Sequence, residues 1–193
     1  MKFIEPRTSE SAAMRFFQRR RPGNLWGLLR RRSRLTNSST SKERRVPFAE
    51  LVWLPYYIVP VKVRSRRGEG EITVSVEGYS GAFAVFEMHA DIVEGDIQGE
   101  TFQPKLDAQD AARIARKQLL ATIMRQRSNR EKPAPEEVLG VDLLHWPIWV
   151  YYYERRPGRL DIRVLDAVTG SKPGPRIRAS ILAAFAAAKE NAP

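Results

Sequence analysis

The sequence contains no cysteine and just two histidines, His89 and His145. The first absence excludes disulfides and thiolate metal sites and suits a reducing compartment. The second leaves few imidazoles for a closed metal site, which needs three or four convergent ligands. His89, beside Glu87 and Asp91, reads as a solvated surface group, and His145 tips an aromatic strand. Long apolar runs are also missing, since none approaches the ~18 residues of a membrane span. The opening Met1-Lys2-Phe3-Ile4-Glu5-Pro6-Arg7 sets an acid and a proline where a signal peptide has its apolar centre. The expectation is a cytoplasmic protein, or one held at the periphery of a membrane.

Catalytic pairings are lacking too. Glu136, Glu137, Asp161 and Asp166 offer carboxylates without an evident acid or base partner. Gly78-Tyr79-Ser80-Gly81-Ala82 approaches the nucleophile elbow Gly-x-Ser-x-Gly, but Ala82 replaces the last glycine and a strand pattern follows where a helix is required. The sequence therefore predicts no enzyme and no cofactor.

Acidic residues are scarce in one region. Residues 1–50 hold 13 Lys and Arg against 4 acids, whereas residues 51–100 hold 4 against 8, within a net charge of +11. Arg19, Arg20, Arg21, Arg30, Arg31, Arg32 and Arg34 are the candidate anion-binding residues, for nucleic-acid phosphates or an anionic membrane surface. A solubilising basic flank is the plainer reading of the same charge.

What the chain has in quantity is proline-punctuated aromatic strand. His145-Trp146-Pro147-Ile148-Trp149-Val150-Tyr151-Tyr152-Tyr153-Glu154 has a weaker twin in Trp53-Leu54-Pro55-Tyr56-Tyr57-Ile58-Val59-Pro60-Val61. Helical periodicity marks residues 10–20, 108–126 and 178–190, with Ser9 and Asp107 as caps for the first two, and a further short helix is expected over 25–34. Alternation marks strands at Ile72–Glu77 and Leu160–Val164 and a third at 82–87. Residues 91–100 read as an acidic connector and 132–135 as a loop.

The order of elements runs twice. Pro6, Ser9, Ala13 and Arg15 match Pro104, Asp107, Ala111 and Arg113; Pro55 and Tyr57 match Pro147 and Trp149; Ile72 and Val74 are set against Ile162 and Val164; Ser80-Gly81 matches Thr169-Gly170. The expected architecture is α+β with two related halves, 1–98 and 99–193, each a helix packed on a small curled antiparallel sheet, an arrangement that resembles cystatin-like domains. The first half carries the basic helical segment and the second a C-terminal helix.

Asp107-Ala108-Gln109-Asp110-Ala111-Ala112-Arg113-Ile114-Ala115, the aromatic strand and Val164-Leu165-Asp166-Ala167-Val168-Thr169-Gly170 together resemble the PepSY family. In the first half, Glu77-Gly78-Tyr79-Ser80-Gly81 stands where the second has Asp166 to Gly170, with Glu in place of the Asp. The resemblance implies a non-catalytic binding or inhibitory module. Trp149, Tyr151 and Tyr153, with Tyr57 as the counterpart of Trp149, lie on the strand face away from Trp146 and Leu54. They are the candidate partner-binding residues for a protein or peptide, or for a second copy of the chain, on the expectation that each helix covers the other face. Nucleic-acid or anionic-surface binding through the arginines is the alternative.

Overall fold

The two proline-aromatic runs become the two longest strands of one sheet. The computed structural model describes residues 1–18, 46–66, 68–125 and 132–190. In chain order the elements are β1 (Lys2–Ile4), α1 (Glu10–Gln18), β2 (Phe48–Ser65), β3 (Gly68–Glu77), β4 (Phe83–Val85), β5 (Ile92–Glu94), β6 (Glu100–Thr101), α2 (Ala108–Arg125), β7 (Ala134–Val138), β8 (Asp142–Arg156), β9 (Arg159–Asp166) and α3 (Pro175–Glu190). The protein is a mixed α/β fold, and among the described residues it has three helices and one large open sheet of nine strands. The helix expected over 25–34 and the seven candidate arginines from Arg19 to Arg34 lie outside the described residues.

β2 and β8 pair antiparallel from Phe48 opposite Tyr152 to Ile58 opposite Asp142. Each also pairs with its hairpin partner, β2 with β3 and β8 with β9. Pro55 and Pro147 sit inside these central strands, where a missing N–H would normally break a ladder. Both fall just beyond the last residue of the neighbouring strand. The Pro55 carbonyl accepts from Gly78 N–H at 2.8 Å and the Pro147 carbonyl from Ala167 N–H at 3.1 Å, so each proline stands where its ladder ends.

The helices settle which sheet face is which. α2 lays Ala111, Ala115, Leu119 and Ile123 on Tyr57, Val59, Val61, Val63, Val74 and Val76. α1 lays Ala13 and Phe17 on Trp149, Tyr151, Leu165 and Ala167. Leu51 pairs directly with Trp149, so both helices share one face of the sheet. α3 takes the other, with Ile181 and Ala184 against Val52, Leu54, Ile148, Val150, Ile162 and Val164. Burying each such aliphatic side chain is worth about 1.5–3 kcal/mol, so these three contacts carry the fold.

Two expectations are corrected here. Trp149 and Tyr57 lie on the face that α1 and α2 cover, and the Trp146/Leu54 face belongs to α3. The packing also crosses residue 98: α1 sits on β8 and β9, and α2 sits on β2 and β3. A third correction concerns register. Tyr57 pairs with Val76 and Trp149 with Leu165, which makes Val76 the counterpart of Leu165. Setting Ile72 and Val74 against Ile162 and Val164 is a slip of one residue, and it joins side chains from opposite faces.

Ser9 and Asp107 cap as expected: Ala12 N–H donates to Ser9 Oγ at 3.3 Å and Asp110 N–H to Asp107 Oδ1 at 2.7 Å. β1, β5, β6 and β7 were not legible, being 3, 3, 2 and 5 residues long. The connector at 91–100 contains β5 and the start of β6, and β7 begins inside the expected loop. No helix among the described residues is long and apolar enough to cross a membrane.

Candidate anion-binding cleft

The tip of the β8–β9 hairpin forms a cleft of about 360 Å³ lined by Arg155, Arg156, Arg159, Leu160, Asp161 and Arg178. Arg156 pairs with Arg159, which makes Pro157 and Gly158 the two central residues of the turn. Proline fits the first position, and Gly158 at φ 72° fits a second that demands positive φ. The turn is therefore Arg156-Pro157-Gly158-Arg159. Gly158 N–H donates to Glu154 Oε1 at 2.7 Å, which pins the tip.

Four guanidinium groups thus face one carboxylate. Asp161 is held by Arg178, by the Tyr153 hydroxyl at 3.1 Å and by Ile162 N–H at 2.8 Å, with Arg155 farther off at 3.8 Å. Burial pushes its carboxyl up, but the Ile162 N–H, the Arg178 guanidinium and the Tyr153 hydroxyl outweigh that and hold it below the ordinary aspartate value. Among the described residues Arg156 and Arg159 form no ion pair, and Arg155 is 71% exposed. The other hairpin is built differently: at the far end of β2 and β3, Lys62 and Arg64 are neutralised by Glu69, and Arg64 also by Glu136. Arg156 and Arg159 are directly opposed like charges, an arrangement that weakens a strand pair.

The sequence missed this site because Arg155-Arg156 and Arg159 look like an ordinary polar turn, and Arg178 comes from a different element. α3 starts at Pro175, three residues before the expected helix, which sets Arg178 in its first turn. Its Nε donates to the Ile162 carbonyl at 3.3 Å while its other end holds Asp161.

Three of the four candidate partner-binding aromatics are placed otherwise than expected. Tyr57 is buried under α2 and its hydroxyl donates to the Leu106 carbonyl at 2.7 Å. Trp149 is buried under α1, with Nε1 donating to the Thr8 carbonyl at 2.8 Å. Tyr151 is buried and stacked on Phe17, ring centroids 4.9 Å apart. These three side chains are spent inside the chain, because both helices pack on the face they occupy. Tyr153 is half-buried at the rim of the cleft, between Asp161 and the Arg163 guanidinium, which lies 4.9 Å from its ring centre.

The other singled-out groups serve the fold. The Ser80 hydroxyl donates to Glu77 in the turn that leads into β4. His89 stands edge-on to Phe86. His145 is buried; burial lowers its pKa, against a hydrogen bond with the Lys2 backbone that raises it, and its Nδ1 has no partner among the described residues. On the α3 face, Trp146 Nε1 donates to Asp166 Oδ2 at 3.1 Å, and Tyr56 packs 5.9 Å from Trp146. Burial first, then the Glu77 and Asp166 carboxyls, raise the Tyr56 hydroxyl far above the ordinary tyrosine value. No family model, curated protein or solved structure matches the chain.

Proposed function

We propose that the protein is a non-catalytic binding module for an acidic protein or peptide, and that it engages this partner at the arginine cleft of the β8–β9 hairpin. The observation that carries the reading is the opposed pair Arg156 and Arg159, left without counter-charge in a cleft whose single carboxylate is already engaged by Arg178 and Tyr153. A protein partner is favoured over nucleic acid because base recognition on single strands relies on free aromatic faces, and Tyr57, Trp149 and Tyr151 are buried. Arg163 NH1 donates to the Phe17 carbonyl at 3.1 Å, which ties the end of α1 to β9.

The same proposal takes the chain as two related halves of cystatin-like and PepSY-like type, with their helices exchanged. Support comes from matching backbone bonds. Gly81 N–H donates to the Glu77 carbonyl and Gly170 N–H to the Asp166 carbonyl, with φ 65° at both glycines. Leu106 N–H donates to the Gly78 carbonyl and Thr8 N–H to the Ala167 carbonyl. The side-chain bonds of Tyr57 to Leu106 and of Trp149 to Thr8 repeat the pattern.

The test is fluorescence anisotropy with a labelled acidic peptide and a single-stranded RNA of equal charge, using the full chain and an Arg155→Glu/Arg156→Glu/Arg159→Glu variant. The peptide is expected to bind the parent and to lose at least about tenfold with the variant, since charge pairs at a rim are sensitive to reversal. Undiminished binding by the variant removes the cleft from the proposal. Preference for the RNA, lost in the variant, reassigns the module to nucleic acid.

A further inference from the structure

The outer edge of β9 lies within the same cleft and differs from the matching edge of β3. β3 carries β4 along its outside, with Val74, Ser75 and Val76 opposite Val85, Ala84 and Phe83. The Thr73 carbonyl there accepts from Phe86 N–H at 2.9 Å. By the register of the two hairpins Ile162 occupies the place of Thr73. Its carbonyl accepts from the Arg178 side chain and its N–H donates to the neighbouring Asp161 carboxylate. Asp166 N–H also points outward, to the Ser171 carbonyl. Backbone groups of an antiparallel strand alternate sides, so Leu160, Ile162, Val164 and Asp166 present theirs to the edge. Among the described residues no strand pairs with β9 on this side. Arg178 and Asp161 occupy the hydrogen-bonding positions that β4 and the residues after it fill on β3.

Resting on the acidic-partner reading above, we infer that the partner binds as an added strand on β9, an extended segment with alternating acidic and apolar residues. Two rows of side chains dictate that alternation. Arg159, Asp161 and Arg163 project on the α1 side, where Arg163 meets Phe17 and the Asp161 carboxylate is already engaged by Arg178 and Tyr153. Leu160, Ile162 and Val164 project on the α3 side, and Leu160 is 65% exposed although Ile162 and Val164 are buried under α3. An incoming strand in register places its acids beside the arginines and its apolar residues beside Leu160. One of its carboxylates takes over Arg178 from Asp161, and its backbone takes over the Ile162 N–H and C=O. A second copy of the chain is the poorer occupant, because pairing two β9 edges brings arginine rows together. Strand addition of this kind draws affinity from the main chain and specificity from alternate side chains.

Anisotropy with two labelled peptides of about ten residues, the upper end of ordinary strand lengths, decides the matter. One alternates Glu and Val; the other has the same composition in two blocks. The alternating peptide is expected to bind the full chain at least about tenfold tighter, and to slow backbone hydrogen exchange over residues 160–164. Equal affinity for the two peptides, or unchanged exchange in β9, overturns strand addition while leaving the arginine cleft as an anion site. Failure of both peptides to bind removes the acidic-partner reading along with it.

Discussion

Glu77 has no exposed surface, and four donors converge on its carboxyl. Tyr79 N–H reaches Oε1 at 2.9 Å, while Ser80 N–H, the Ser80 hydroxyl and the Ser180 hydroxyl reach Oε2. The first three close the turn after β3. Ser180 belongs to α3, so the fourth bond ties that helix to the far hairpin, 103 residues away in sequence. Hydrogen bonds to a charged group contribute about 1.5–3 kcal/mol each, and a buried donor left unpaired costs more than an absent one. Glu77→Gln, even with its amide nitrogen in the Oε1 place, sets that nitrogen against the Tyr79 N–H and removes the charge from the other three bonds, and is expected to lower stability by about 2–4 kcal/mol. Ser180→Ala should cost about 1 kcal/mol, and less in the Glu77→Gln background. Urea titration of the two variants and the double mutant measures both effects. A Glu77→Gln midpoint equal to that of the parent shows that the carboxyl is not the anchor described.

α1 is nine residues long, too short to hold itself helical in water, so its docking decides whether it forms. Phe17 stacks on Tyr151, Ala13 has no exposed surface, and Trp149 fixes the approach to the helix by its bond to Thr8. Replacing Trp149 with Ala removes a large buried ring and that bond together, for an expected loss of about 3–5 kcal/mol. Circular dichroism and chemical unfolding report the loss, and light scattering should return the mass of the parent. A change of mass at unaltered stability would instead return Trp149 to the association surface expected from the sequence. Trp149 was legible as an aromatic on the face away from Trp146. Which helix covers that face was not, because strand alternation separates two faces without saying what lies on either.

For the whole molecule, the packing of α1 on β8 and β9 and of α2 on β2 and β3 has a direct consequence. Residues 1–98 alone keep Val59, Val61, Val63, Val74 and Val76 but lose the α2 side chains that cover them, and residues 99–193 alone lose α1 from Trp149, Tyr151 and Leu165. They also lose each other's long strand across the β2–β8 pairing. Neither fragment is expected to give a cooperative unfolding transition, while an equimolar mixture should recover the helix and strand signal of the intact chain. Circular dichroism of the fragments, separate and mixed, checks this. Cooperative folding of either fragment by itself would mean that its helix packs on its own strands.

The sequence by itself determined the elements whose signal is local: the two proline-aromatic strands, their hairpins, the caps at Ser9 and Asp107, the glycine turns, and the helical stripe of α2. Each depends on backbone preference and periodicity within about a dozen residues. Tertiary structure decided the rest. Short strands such as β1 and β6 exist because a neighbour offers a free ladder. The match of β9 to β3 slipped by one residue, since Ile72 and Val74 resemble Ile162 and Val164 in sequence while Thr73 and Ser75 occupy their places in the hairpin. The arginine cleft needed a turn, a strand and the first turn of α3 brought to one point, which contacts between residues as far apart as Arg155 and Arg178 alone can specify.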